Sequence, residues 1–425
     1  MPGNAIFLQH AATNAWLALF APAEQEPMRA MLRAMKLVSA DEFKSELKDL
    51  ILRRIKDGVG PVGLYAEREL RKRKGVVHRL FHETRTKHRR AYGVGPEAVK
   101  PKFRYHQEVG SEALVAQLIS EVCKEHGKKA FTHPGPDKTR EKGIRRFILV
   151  TDFIGSGQRA SDYLEAAWKI RSVKSWWSRR TRRGMSFEVV AYSATPLGLE
   201  RVQTHPAAPL IFQVIGCPTI GSISDPVTRN AIVSACMAHD PSGVPSEDSL
   251  GFKGTGALIA FSHGAPNNVP KILTEVGKGW LPLFPKRVTS ESVGSFSPSL
   301  STEEDIRNAL LELRQKRIAA SPLLREIAHA DRKHLLLLLA ALGRAPRSDD
   351  VLSVRSGLTI FEIGRLLATA RKNDWVDDKR RLTDAGQAQL KHVRRGTPRQ
   401  QPPLPNVDEY GYHPPSLRAP VGPSS

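Results

Sequence analysis

Apolar residues recur at helical spacing through Phe43, Leu47, Leu50 and Ile51, directly after Ser39-Ala-Asp-Glu42. A hydroxyl and a carboxylate three residues apart satisfy amides at a helix start, so the pattern predicts a helix from about Ala40 to Ile55. Gly58, Gly60 and Pro61 end it. Val62 to Leu70 (VGLYAEREL) reads as a short strand running into a helix, and Ser111 as the N-cap of the helix SEALVAQLISEVCKEHG. A polar loop with Pro134 and Pro136 leads to the apolar run FILV, Phe147 to Val150. Strands are then expected at Phe187 to Ala194, Pro209 to Cys217 and Ala257 to His263, with a helix in SDPVTRNAIVSACMAHD that has Pro226 near its start. Apolar strands separated by helices predict an α/β domain with a mainly parallel sheet.

The pattern changes after a Ser/Gly/Pro-rich stretch, Thr289 to Thr302, which reads as a linker. One helix is expected from Ser321-Pro322 through HLLLLLAAL to Gly343, and a short one from Ser348-Asp349. Thr359 to Glu362 forms a second capping box, heading FEIGRLLATARKNDW; WVDDKRRLTDAGQAQL then reads as a β-wing and a final helix. Three helices and a wing predict a winged helix-turn-helix. The expected division is 1–38 as an N-terminal extension, 39–288 as the α/β domain, 289–320 as linker and helix, 321–395 as the winged helix, and 396–425 as a Pro-rich, disordered tail. Met28, Met31 or Met35 is expected as an alternative translation start.

Composition narrows the partners. The 425 residues carry a formal net charge of +22, which favours nucleic acid or phosphorylated ligands. Cys123, Cys217 and Cys236 are widely spaced and form no metal pattern, so a reducing, cytoplasmic setting is expected, with no zinc, haem or flavin. No apolar run is long enough for a bilayer, and Ala5 to Ala21 lacks the layout of a secretory signal.

The chemistry concentrates in FILVTDFIGSGQRASDYL, Phe147 to Leu164. An apolar strand ends on Asp152, turns through Gly155-Ser156-Gly157 and opens into a helix. Glycines admit an anion close to the backbone, whose amides and helix start supply positive potential. Asp152 is placed to accept from a sugar hydroxyl or to hold Mg2+. The same residues also read as a tight turn with a capping aspartate.

ILVTDFIGSGQR resembles the ribose-5-phosphate loop of type I phosphoribosyltransferases. In that pattern an acidic pair falls on Thr151 and Asp152, the Thr-Gly on Ser156 and Gly157, and a final Thr on Arg159. The resemblance implies phosphate binding by Gly155, Ser156, Gly157, Gln158 and Arg159 and ribose binding by Thr151 and Asp152, with Asp152 as the catalytic and Mg2+-binding candidate. Thr151 in place of an acid weakens the expectation of catalysis more than that of binding. In order, GLYAEREL, GSE, ILVTDFIGSG, VVAYSAT, GTGALIAFSHGAPNNVPKIL and GWLPLFPKR are similar to the phosphoribosyltransferase-like domains of bacterial conflict systems, some linked to retrons. That implies an antiphage effector acting on nucleotides or nucleic acid, with a reverse-transcriptase complex as one partner.

Further candidates follow from residue type. Glu67 and Glu69 read first as partners of Arg68, Arg71 and Lys72, and second as site acids. Asn267 and Asn268 either contact a base or cap a helix. Lys253, among Gly251, Gly254 and Gly256, stands as a second phosphate loop or a plain turn, and His263 as a structural histidine. The basic stretch Arg71 to Arg90 is either a solvated surface or a phosphate-binding one. Trp168 to Arg183 mixes tryptophans with Arg179, Arg180 and Arg182. It reads either as a nucleic-acid contact or as an amphipathic helix with Ile170, Val173 and Trp177 inward. In the winged helix, Ile360, Ile363, Leu366 and Leu367 form the buried stripe. Arg365, Arg371 and Lys372 lie outward on the recognition helix, and Lys379, Arg380 and Arg381 on the wing, a layout for DNA that also serves protein docking. Three functions stand: an effector doing glycosidic transfer or cleavage at ribose C1, a non-catalytic regulator that senses a phosphoribosyl metabolite and binds DNA, and a scaffold that binds a nucleic-acid partner through the basic surface.

Overall fold

The computed structural model describes residues 4–97, 111–181, 184–277, 279–289, 303–327, 330–343 and 348–395. The expected linker from 290, the tail from 396 and Arg182 lie outside the described residues. The chain opens with α1 (Asn4–Gln9), α2 (Ala11–Leu17), α3 (Pro22–Ala34), β1 (Lys36–Val38) and α4 (Ala40–Asp57). Next come β2 (Val62–Ala66) and two short hairpins, β3 (Lys72–Arg73) with β4 (Val76–Val77) and β5 (His82–Glu83) with β6 (Ala91–Tyr92). The α/β alternation runs through α5 (Ser111–Glu125), β7 (Ala130–Thr132), α6 (Pro136–Glu141), β8 (Arg146–Ile154), α7 (Gln158–Trp168), α8 (Arg171–Ser178), β9 (Ser186–Ala194), α9 (Pro196–Gln203), β10 (Leu210–Gly216), α10 (Pro226–Ala238) and β11 (Ile259–Phe261). After it lie α11 (Glu303–Glu312), α12 (Lys316–Ala319), α13 (Leu323–Glu326), α14 (Ala330–Leu342), α15 (Asp349–Ser356), α16 (Ile360–Lys372) and α17 (Asp384–Arg395). The described residues form two compact units, those within 1–300 and 348–364, and those within 301–347 and 365–395.

Five parallel strands make the central sheet in the order β10-β9-β8-β2-β7. Successive residues of a strand face opposite sides, and β8 uses both. Ile148 and Val150 enter the core under α4 and α5, with Leu47, Ile51, Leu118 and Tyr192. Phe147 and Leu149 enter the core under α7, with Tyr65, Tyr163, Leu164 and Phe187. A strand buried on both faces reads as a continuous apolar run, which is why FILV was legible.

Four expectations are corrected. Residues 257–263 do not extend the central sheet: Ile259 to Phe261 pair with Lys36 to Val38 in a separate two-stranded sheet. No helix follows VGLYA. Lys74 and Gly75 both take left-handed backbone angles, and such a two-residue turn closes a hairpin instead. The helix expected from 321 to 343 is two helices, α13 and α14, because Ile327 is extended. Ser39 accepts from the Glu42 amide at 3.2 Å, but the Glu42 carboxylate turns to Lys36 and the Tyr192 hydroxyl, so that capping box is half made. The strand Ala130–Thr132 escaped notice because it is three residues long. Residues 1–38, set apart as an extension, contribute Trp16, Leu17, Phe20, Met28 and Met31 to a core shared with Ile232 and Cys236 of α10.

In the C-terminal region Thr359 and Glu362 cap each other, with the Thr359 amide donating to the Glu362 carboxylate at 2.8 Å. Ile363, Leu366 and Leu367 of α16 are buried, and Ile360 is half-buried. Val376 and Leu382 pair as an antiparallel bridge, the short wing ahead of α17.

Candidate functional site

The sheet order fixes where a site can form. From β2 the chain moves outward to β7, then returns to β8 and moves the other way to β9 and β10. Connections leaving β2 and β8 in opposite directions open a crevice at the carboxyl ends of those two strands. Glu67 and Asp152 stand at those ends. The Glu67 amide donates to the Val150 carbonyl at 2.8 Å, which continues the β2–β8 ladder and sets Glu67 beside Thr151.

Glu67 does not pair with Arg68, Arg71 or Lys72. Its carboxylate is 5 % exposed, accepts from the Thr151 hydroxyl at 2.6 Å and lies 2.8 Å from Nε of Arg159. Burial pushes its carboxyl up to about 7, against the pull of Arg159 and Thr151. The Thr151 hydroxyl is also 3.3 Å from Asp152, so it stands between two carboxylates. Asp152 goes the other way. Burial works to raise it, but the nearby His263 and Ser111 and the charge of Arg159 prevail, and the carboxyl is held below its ordinary range. His263 Nε2 is 3.6 Å from Asp152, with its ring stacked on Phe261 and edge-on to Phe43. Neighbouring carboxyls driven apart in this way are a mark of assigned roles. Glu69 is exposed, and its amide donates to the Glu112 carboxylate at 3.3 Å.

The loop after β8 is held open and rigid. Gly157 has φ 70°, and a side chain there would meet the Gly198 carbonyl at 2.6 Å. A side chain at Gly155 would collide with the Asn268 carboxamide. The Thr195 hydroxyl donates to the Gly155 carbonyl at 2.5 Å and accepts from the Gly198 amide. Among the described residues, no acceptor takes the amides of Gly155, Ser156 and Gly157. Ser156 is buried and accepts weakly from the Gln158 amide at 3.4 Å. The Gln158 side chain turns back along α7 to Asp162 at 2.8 Å. Arg159 is half exposed and also pairs with Glu112 of α5 at 2.5 Å.

Asn268 is buried, bonded to Thr255 and packed on Gly155, so it shapes the loop from behind; Asn267 is exposed. The Lys253 amide donates to the Asp248 carboxylate at 2.7 Å and Glu247 crowds Gly254, which makes that glycine cluster a braced turn with an acid already in place. Sequence reasoning missed Glu112, Ser111 and Thr195. Thr195-Pro196, an N-cap followed by proline, was the available signal for the last. A pocket of about 230 Å³ lined by Phe43, Leu114, Gln117 and His263 adjoins Asp152 through His263.

The basic segments converge. Nine Lys/Arg and one acid lie in 71–90, and five Lys/Arg with no acid in 169–181. The Ala91 amide donates to Ser172 at 2.8 Å and the Arg171 amide to Glu83 at 2.7 Å, joining the β5–β6 hairpin to α8, and Lys169 just before α8 donates to the Val77 carbonyl of the other hairpin at 3.0 Å. Ile170, which precedes α8, and Val173 on it are buried, and the Trp177 face is covered by Arg180 at 3.6 Å, so that ring serves packing. Arg179 is exposed. On α16, Arg365 makes a two-pronged pair with Asp331 at 2.6 and 2.7 Å; Arg371, Lys372, Lys379 and Arg381 are exposed, and Arg380 is half-buried.

Comparison with known proteins agrees with this architecture. The family model PRTase-CE matches residues 13–286, and a second, wHTH-PRTase associated, matches 336–419. No curated protein and no solved structure matches the chain. No helix among the described residues is long and apolar enough to cross a membrane. With the first match spanning most of its length and the crevice where such a fold binds ligand, the chain belongs to the PRTase-CE family, a phosphoribosyltransferase-like domain joined to a winged helix.

Proposed function

We propose that the crevice at the ends of β2 and β8 binds a phosphorylated ribose, and that the chain acts on nucleotides as an effector in antiphage conflict. The observation carrying the reading is one juxtaposition. Amides that lack an acceptor, in a loop closed to side chains, stand beside a carboxylate held below its ordinary range. A phosphate needs donors and ribose hydroxyls need acceptors; the Gly155, Ser156 and Gly157 amides offer the first and Asp152 the second. Ser156 and Arg159 add a hydroxyl and a cation. Among the described residues no three acidic, His or Cys side chains form a metal cluster, so Mg2+ would rest on Asp152 with phosphate and water oxygens completing its shell. Bound there, it would neutralise phosphate charge. Turnover, where it occurs, is transfer or cleavage at ribose C1, helped by positioning and charge.

Thermal-shift titration with ribose 5-phosphate, 5-phosphoribosyl diphosphate and AMP, with and without Mg2+, tests this, followed by mass analysis of products. Wild type should be stabilised by at least one probe. Asp152→Asn should bind about tenfold or more weakly, roughly 1.4 kcal/mol, and lose turnover. A wild type neither stabilised nor active rejects the reading. The regulator alternative predicts no turnover and a ligand-dependent change in DNA binding that Asp152→Asn removes.

A second reading draws on the convergence of the hairpins and α8: this surface contacts nucleic-acid backbone. Fluorescence anisotropy of a labelled oligonucleotide across a salt series reads it. Replacing Lys87, Arg89, Arg90, Arg179 and Arg180 by Ala should weaken binding about tenfold or more and flatten the salt slope. Unchanged binding there, with loss on replacing Arg371, Lys372, Lys379 and Arg381, assigns contact to the winged helix instead.

A further inference from the structure

Thr151 stands where the related loops carry an acid, yet a buried carboxylate meets that position from the next strand. Glu67 follows β2, is locked to Val150 through its amide, and takes the Thr151 hydroxyl at 2.6 Å. That hydroxyl also approaches Asp152 at 3.3 Å, so Glu67 and Asp152 flank one hydroxyl at the mouth of the crevice. We propose that Glu67 is the second ribose-binding carboxylate of this site, replacing from β2 the acid absent at Thr151 and selecting ribose over 2-deoxyribose. This rests on the phosphoribosyl reading above.

The chemistry is that of acceptor and donor. Ribose presents hydroxyls that donate; 2-deoxyribose lacks one of them. A buried carboxylate left without that donor is costly, so the site discriminates against the deoxy sugar. In the structure the second oxygen of Glu67 faces Arg159, whose side chain is 50 % exposed and shared with Glu112. Arg159 ends the phosphate loop, so a bound phosphate draws it off and leaves that oxygen for the sugar.

Calorimetric titration of the full chain with ribose 5-phosphate and with 2-deoxyribose 5-phosphate decides it. Wild type should prefer the ribo compound by about tenfold or more, the scale of a hydrogen bond to a charged group. Glu67→Gln should shrink that preference to about twofold while binding the deoxy compound within about threefold of wild type. The double variant Glu67→Gln, Thr151→Asp returns the acid to β8 and should restore the preference, which also covers a single variant that fails to fold. Undiminished preference in Glu67→Gln, or a folded double variant without preference, overturns the assignment while leaving the phosphoribosyl reading intact. Wild type that binds neither sugar phosphate removes both.

Discussion

The central sheet carries charge at both ends of its strands, and the two ends are built on opposite plans. At the amino end Arg146 grips Glu188 through two bonds, at 2.6 and 3.0 Å, and Arg54 adds a third at 3.0 Å. Both strand residues are buried, and any side chain at Gly58 would strike the Arg146 guanidinium. At the carboxyl end Glu67 is buried too, but its cationic partner Arg159 is half exposed and divided between two acids. The closed end has its countercharges within the fold. The open end holds acids whose cation is exposed and shared, beside loop amides that have no acceptor among the described residues. Burial of charge alone therefore does not identify a site; the exposure of the partner separates the two cases.

The strongest way to break this comparison is to empty the closed end. Glu188→Ala leaves two guanidinium groups facing buried space, and removing one member of a buried pair costs about 3–5 kcal/mol. Urea denaturation should show that loss, while the folded fraction keeps wild-type affinity for ribose 5-phosphate. A loss below about 1 kcal/mol would place the two ends on the same footing.

How far the sequence disclosed this difference depends on range. The α/β class, the β8 turn, α4, α10 and the second capping box were legible because each rests on local periodicity or on residues within four positions. Arg146, Glu188 and Arg54 carry no local signal: their meeting needs strand pairing and a helix laid across it. Of the two readings of Glu67, as a partner of adjacent cations and as a site acid, the first was the local one, and it failed because β2 pairs with β8 and brings Thr151 and Arg159 to Glu67. His263 met Asp152 for the same reason, through a loop that follows a strand outside the central sheet. The separate pairing of β1 with β11 joins segments more than 200 residues apart and left no pattern to read.

A smaller effect sharpens the comparison through pH. The Glu67 carboxyl is raised from 4.5 to about 7, so the folded state holds a proton that the unfolded chain releases. Stability from that proton is fully present below pH 4.5 and is lost as pH rises through about 7. Glu67→Gln cannot release it. The variant should therefore gain on wild type by about 2 kcal/mol between pH 5 and pH 8, measured by urea denaturation at both values without ligand. Glu46 of α4 is also raised to about 7, by burial and by the charge of Glu42, but it drifts equally in both proteins and cancels from the difference. A gap that does not change with pH would mean that Arg159 satisfies Glu67 fully, and the open end would then be as self-contained as the closed one.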